Sequence, residues 1–131
     1  MQASGDFDGT TSAISAARRL TAGFLRRAKD ERGVPVSDRS LDDAQLVVSE
    51  LVTNAVRHAP GPCRVLLEII GDRLRITVRD SSAALPTILA PDPARVGRHG
   101  MEIVVALCGV LSVAHRPEGG KHITVDLGLV T

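Results

Sequence analysis

The chain has 131 residues, 16 of them basic and 15 acidic, for a net charge of +1, so charge by itself does not point to a polyanionic partner. Hydrophobic residues make up 44% with two Phe and neither Trp nor Tyr, so any core is aliphatic, and aromatic platforms for stacking single-stranded nucleic acid are nearly absent. A chain this long buries roughly two thirds of its unfolded surface, enough for one domain without disulfides or structural metals. Cys63 and Cys108 lack C-x-x-C spacing, which implies neither a zinc site nor a disulfide framework. No apolar run reaches the roughly eighteen residues of a membrane span, and the start lacks the basic-then-apolar pattern of a secretion signal. These features are those expected of a reduced, cytoplasmic protein with no membrane or direct nucleic-acid partner.

In chain order, residues 1–11 are small and polar, with Gly5 and Gly9, and are expected as a flexible tail or an edge strand. Residues 12–131 read as a single domain. From Ser12 as N-cap, Ile14, Ala17, Leu20, Phe24 and Leu25 mark one face of a helix to about Lys29. Arg18, Arg19, Arg26 and Arg27 on it form a solvated face or a partner surface. Gly33-Val34-Pro35 breaks the chain, Ser40 is placed to cap again, and a second helix runs from about Leu41 to His58, stopped by Pro60-Gly61-Pro62.

Apolar, β-branched runs follow at Cys63 to Ile70 and Leu74 to Arg79, joined at Gly71-Asp72-Arg73 as a hairpin. Leu74, Ile76 and Val78 alternate with Arg73, Arg75 and Arg79, which gives a sheet with one wet face. Asp80 to His99 carries Pro86, Pro91, Pro93 and Gly97 without sustained periodicity and reads as a long loop. A helix from Gly100 to Cys108, a strand from Leu111 to Arg116, a turn at Pro117-Glu118-Gly119-Gly120 and a strand from His122 to Leu129 complete the chain. His115 and His122 are expected to face each other across that last hairpin, and Lys121 to be exposed. The sum is an α+β two-layer sandwich, a mainly antiparallel mixed sheet with helices on one face.

Chemistry concentrates on the second helix. Glu50, Asn54 and His58 fall at i, i+4 and i+8, one stripe of a helix, while Leu46, Val47, Leu51 and Val52 are expected to supply buried contacts. A carboxylate and a carboxamide one turn apart can hold a divalent cation beside a phosphate chain, because hard cations take oxygen ligands. A helix with a merely polar edge would share this spacing. His58 at the helix end can contact a ligand or simply favour the helix dipole. Asp80 ends a strand, where a carboxylate can accept a hydrogen bond from an exocyclic amine or form a turn. Gly97-Arg98-His99-Gly100-Met101 opens an apolar helix, and such an opening offers backbone N–H groups to phosphate oxygens.

The stretch Glu50-Leu51-Val52-Thr53-Asn54-Ala55-Val56-Arg57-His58-Ala59 resembles the N box of the GHKL ATPases, the Bergerat-fold family of gyrase, histidine kinase and MutL nucleotide-binding domains. Within it, the chain is most similar to small anti-sigma-factor serine kinases of the RsbW type. The resemblance runs from about Ala13 to Leu129, and the N box is its most specific part. It implies ATP with Mg2+, Glu50 as the catalytic residue that polarises the attacking group, and Asn54 as the magnesium ligand. It also implies adenine recognition by Asp80 in a box, Asp80-Ser81-Ser82-Ala83-Ala84, that lacks both glycines of D-x-G-x-G; Ser82 and Pro86 fit a looser D-x-S form. Gly97, Arg98, His99, Gly100 and Met101 match the second glycine box, and Thr124 matches a nucleotide-contacting position on the last strand. Gly119-Gly120-Lys121 resembles the turn before that strand. The implied partners are a sigma factor and an anti-sigma antagonist protein, with a homodimer left open. A non-catalytic, nucleotide-gated partner-binding module is the alternative, since both box glycines are missing.

Overall fold

The computed structural model describes residues 1–58, 61–81 and 100–130. Among them the elements run β1 (Gln2–Phe7), α1 (Ser12–Arg32), α2 (Asp38–His58), β2 (Cys63–Ile70), β3 (Arg73–Asp80), α3 (Gly100–Cys108), β4 (Leu111–His115) and β5 (Lys121–Gly128). The strands form one sheet in the order β1-β2-β3-β5-β4. Its four pairings are all antiparallel, so the described sheet is not mixed. The α+β two-layer sandwich stands, with the helices on one face.

Strand alternation decides what faces what. Cys63, Val65 and Leu67 on β2, Leu74, Ile76 and Val78 on β3, and Ile123, Val125 and Leu127 on β5 are buried. They pack with Phe24 and Leu25 of α1, Val47, Val48, Leu51 and Val52 of α2, and Val104 of α3 in a single aliphatic core. The opposite face carries Arg75, paired with Asp126 at 2.9 Å, and the cross-strand Thr77–Thr124 pair. One side of the sheet is therefore wet and the other dry.

The helix ends show why the elements start where they do. In α1, Ala13, Ala17 and Ala28 are buried, small enough to let it lie close against α2. It runs on to Arg32, past the expected end at Lys29, and its last turn carries Lys29 and Arg32, which suit the negative end of the dipole. Its cap position is Thr11 rather than Ser12, and Thr11 makes no side-chain cap bond. In α2 the cap is Ser37, not Ser40: Ser37 Oγ accepts from the Ser40 N–H at 3.0 Å. Ser40 instead lies inside the helix, buried, and donates from its hydroxyl to Gly128 O at 2.9 Å, fastening the start of α2 to the end of β5. Leu46, expected inward, is 38% exposed, because the helix turns Val48 to the core in its place.

The N-terminal residues form a paired strand, β1, at the sheet edge, with register Gln2↔Glu68 to Phe7↔Cys63. The β4–β5 register is Ala114↔His122 and His115↔Lys121, so the two histidines are one residue out of opposition. No helix among the described residues is long and apolar enough to cross a membrane.

Candidate nucleotide-binding site

The second helix places its polar stripe as its spacing predicts. Glu50 and Asn54 are half-buried and His58 is exposed, while Leu51, Val52 and Ala55 between them face the core. Neither Glu50 nor Asn54 makes a hydrogen bond or ion pair with the described residues.

The opening of α3 comes to meet that stripe. A Cβ placed on Gly100 would lie 2.5 Å from Glu50 Oε2, so the carboxylate sits where any larger residue at position 100 would put its side chain. Gly100 thus brings a helix N-terminus, with the positive end of its dipole, beside the carboxylate of α2. Met101 next to it is buried at 6% exposure and anchors the helix start to the core. The two sequence segments lie fifty residues apart, and only packing of α3 on α2 joins them.

Asp80 lies at the end of β3 on the face turned toward the helices, in line with Ile76 and Val78. Gly61, just beyond α2, adjoins Ser81: a Cβ there would stand 3.7 Å from its Oγ. The last turn of α2 and the end of β3 therefore occupy the same end of the domain. Asp80 does not wait there as a lone carboxylate. Its direct cross-strand neighbour is Lys121, and Nζ of that lysine stands 3.0 Å from both carboxylate oxygens, hydrogen-bonding Oδ1 and pairing by charge with Oδ2. Both side chains are 1% exposed. Lys121, expected in solvent, is a buried residue, because Asp80↔Lys121 register turns it to the same inner face as Ile123 and Val125.

Thr124 falls elsewhere. Strand alternation sends it to the outer face, its Oγ1 3.4 Å from that of Thr77, on the opposite side of the sheet from Glu50 and Asn54. Contact with a nucleotide held under α2 is thus not open to it, and the inward residue of the segment is Lys121. Ser82, Gly97, Arg98 and His99 lie outside the described residues. A groove of about 520 Å³ at the sheet end is lined by Arg64, Arg79, Asp80, Ser81 and Arg116 among others, but by neither Glu50 nor Asn54.

The two thiols supply no nucleophile. Burial, then the charge of Asp80, pushes the Cys63 thiol above its ordinary range, and burial pushes Cys108 to about 11. Both stay protonated near neutral pH.

The family model described as histidine kinase-like ATPase domain matches residues 9–127. The chain belongs to that family. This histidine-kinase-like ATP-binding domain is similar to solved histidine kinases. The blue-light activated histidine kinase of Erythrobacter litoralis EL346 is 30% identical over 72% of this chain and 32% of its own, with a TM-score of 0.50. The histidine kinase domain of that protein is 30% identical over 69% of this chain and 45% of its own, with a TM-score of 0.47. The Acinetobacter baumannii histidine kinase AdeS is 16% identical over 98% of this chain and 68% of its own, with a TM-score of 0.46. The chain spans less than half the length of either Erythrobacter structure. No curated protein matches it.

The two ends of the site fit a magnesium nucleotide unequally. At the phosphate end, Glu50 and Asn54 offer oxygen donors beside a helix opening. The described residues contain no cluster of three or more His, Cys, Asp or Glu side chains able to hold a metal, so a magnesium ion there would need phosphate oxygens and water to complete its shell. At the base end, the carboxylate assigned to adenine is already paired.

Proposed function

We propose that this domain binds magnesium-ATP and transfers the γ-phosphoryl group to a serine of a small antagonist protein, while a separate surface binds a sigma factor. The observation that carries the nucleotide site is the approach of Glu50 Oε2 to Gly100, which sets a carboxylate against the opening of α3. Phosphoryl transfer asks mainly for positioning and charge neutralisation. Asn54 would hold magnesium, whose chemistry when bound is to neutralise charge on the phosphate oxygens. Glu50 then accepts the proton of the acceptor hydroxyl, whose oxygen bonds to the γ-phosphorus as the bond to the β–γ bridging oxygen breaks and ADP departs. The backbone N–H groups at the start of α3 are placed to receive phosphate oxygens.

A second reading, a nucleotide-gated partner-binding module without turnover, is favoured by one observation: the Asp80–Lys121 pair fills hydrogen-bonding capacity at the base end. Phosphate transfer from γ-labelled ATP to co-purifying proteins separates the two. Under the kinase reading Glu50→Ala keeps magnesium-ATP binding yet slows transfer about a hundredfold or more, the scale of general-base loss. Asn54→Ala loses the magnesium dependence of ATP affinity. A wild type that binds magnesium-ATP but phosphorylates none of these proteins supports the module, and a folded wild type that binds no ATP removes both.

A further inference from the structure

Among the described residues, the buried Asp80–Lys121 pair is a strong polar feature near the site that the phosphoryl-transfer reading leaves unused. The two residues are direct partners in the β3–β5 ladder and face the helices together. The approach of the backbones is close as well, since a Cβ on Gly120 would run into the carbonyl oxygen of Asp80. Gly120 O also accepts the Arg116 N–H at 3.0 Å, which closes the turn. The backbone of Lys121 is thus fixed by ladder and turn, and its ammonium is directed at Asp80.

A carboxylate bonded to an ammonium is not equivalent to a lone one. A charge-assisted bond is roughly twice as strong as a neutral one, so a neutral base amine competes poorly with Lys121 for the same oxygens. Turning the ammonium away would break a buried ion pair, which is costly. The alternative is that a base meets the pair as it stands, a donor beside an acceptor. A 6-amino purine presents a donor at N6 and an acceptor at N1; a 6-oxo purine presents an acceptor at O6 and a donor at N1. The pair can satisfy either edge, whereas Asp80 alone favours the amine.

We propose that Lys121 is a specificity-determining residue: by occupying Asp80 it removes the preference for an amine-bearing purine, so that this chain holds 6-oxo and 6-amino purine nucleotides with similar affinity. The inference rests on the nucleotide-binding reading above and deepens it.

The test is calorimetric titration of the full chain with Mg-ATP and Mg-ITP, in the wild type and in Lys121→Met, which removes the donor beside Asp80. The expected result is a rise of about tenfold or more in the ATP-to-ITP affinity ratio, the size of one hydrogen bond to a charged group. A general loss of structure would lower both affinities and leave the ratio alone. An unchanged ratio in the folded variant overturns the inference while leaving nucleotide binding intact. Should Lys121→Met fail to fold, the wild-type ratio decides: a preference for ATP of tenfold or more overturns the inference, and a smaller one supports it. Binding of neither triphosphate to the folded wild type takes the nucleotide reading down with it.

Discussion

The two ends of this site are built on opposite principles. At the α2–α3 end, Glu50 and Asn54 are half-buried and make no hydrogen bond or ion pair with any described residue. At the β3–β5 end, Asp80 and Lys121 are as buried as the aliphatic core and paired with each other. Polar groups at the first end cost the fold little, because a half-buried helix edge still reaches solvent. At the second end the charges are part of the fold, so altering recognition there alters stability. The same scaffold thus carries one end with oxygen donors unpaired among the described residues and one with a buried ion pair.

The sharpest way to break that contrast is to remove one charge. Lys121→Met takes the ammonium away from buried Asp80 and should cost about 3–5 kcal/mol in urea unfolding, whereas the double variant Asp80→Asn/Lys121→Met should recover most of it. Equal losses in the single and double variants would show that packing of the lysine stem, not charge, holds this end.

The two glycines of the site offer a milder comparison. Gly120 has φ +83 and its backbone abuts that of Asp80, so Gly120→Ala meets both left-handed strain and a rigid carbonyl. The expected cost is about 2 kcal/mol or more. Gly100→Ala meets only the flexible end of Glu50, which can rotate away, and should cost about 1 kcal/mol or less while weakening magnesium-ATP binding. Thermal melts and calorimetry on the pair check both halves, and a reversed order of stability would sink the account.

At the α2 end, Asn54→Ala should change unfolding free energy by no more than about 0.5 kcal/mol, since its side chain pairs with no described residue. A large loss would mean that this end is structural too.

The smallest effect lies on the outer sheet face. Burial, then the charges of Arg79 and Arg116, lower the His122 pKa below its ordinary 6.5, against a weaker opposing pull from Glu118. Between the lowered folded value and 6.5 the unfolded chain binds more protons, so stability from this group is complete above pH 6.5 and declines as pH falls through that window. His122→Gln should flatten that part of the stability–pH curve, and an unaltered slope would assign it to other groups.

Much of this architecture is legible in the amino-acid order, because it is governed by short-range periodicity. The helical spacing of Glu50, Asn54 and His58 against Leu51, Val52 and Ala55, the hairpin at Gly71-Asp72, and the start of α3 at Gly100 all follow from 3.6- and 2-residue patterns with glycine and proline breaks. Even Thr124 carries its own warning, since Ile123, Val125 and Leu127 alternate with it and claim the inner face.

Packing decided the rest. The meeting of Glu50 with Gly100 depends on how α3 docks on α2, and the cap at Ser37 rather than Ser40 depends on Ser40 being drawn to Gly128 at the end of β5. Lys121 gave no local sign of burial, because a lysine after two glycines has the pattern of an exposed turn. What buries it is register: Asp80 and Lys121, 41 residues apart, become direct neighbours only when β3 and β5 pair, and a charge can leave water only where such a partner is already in place.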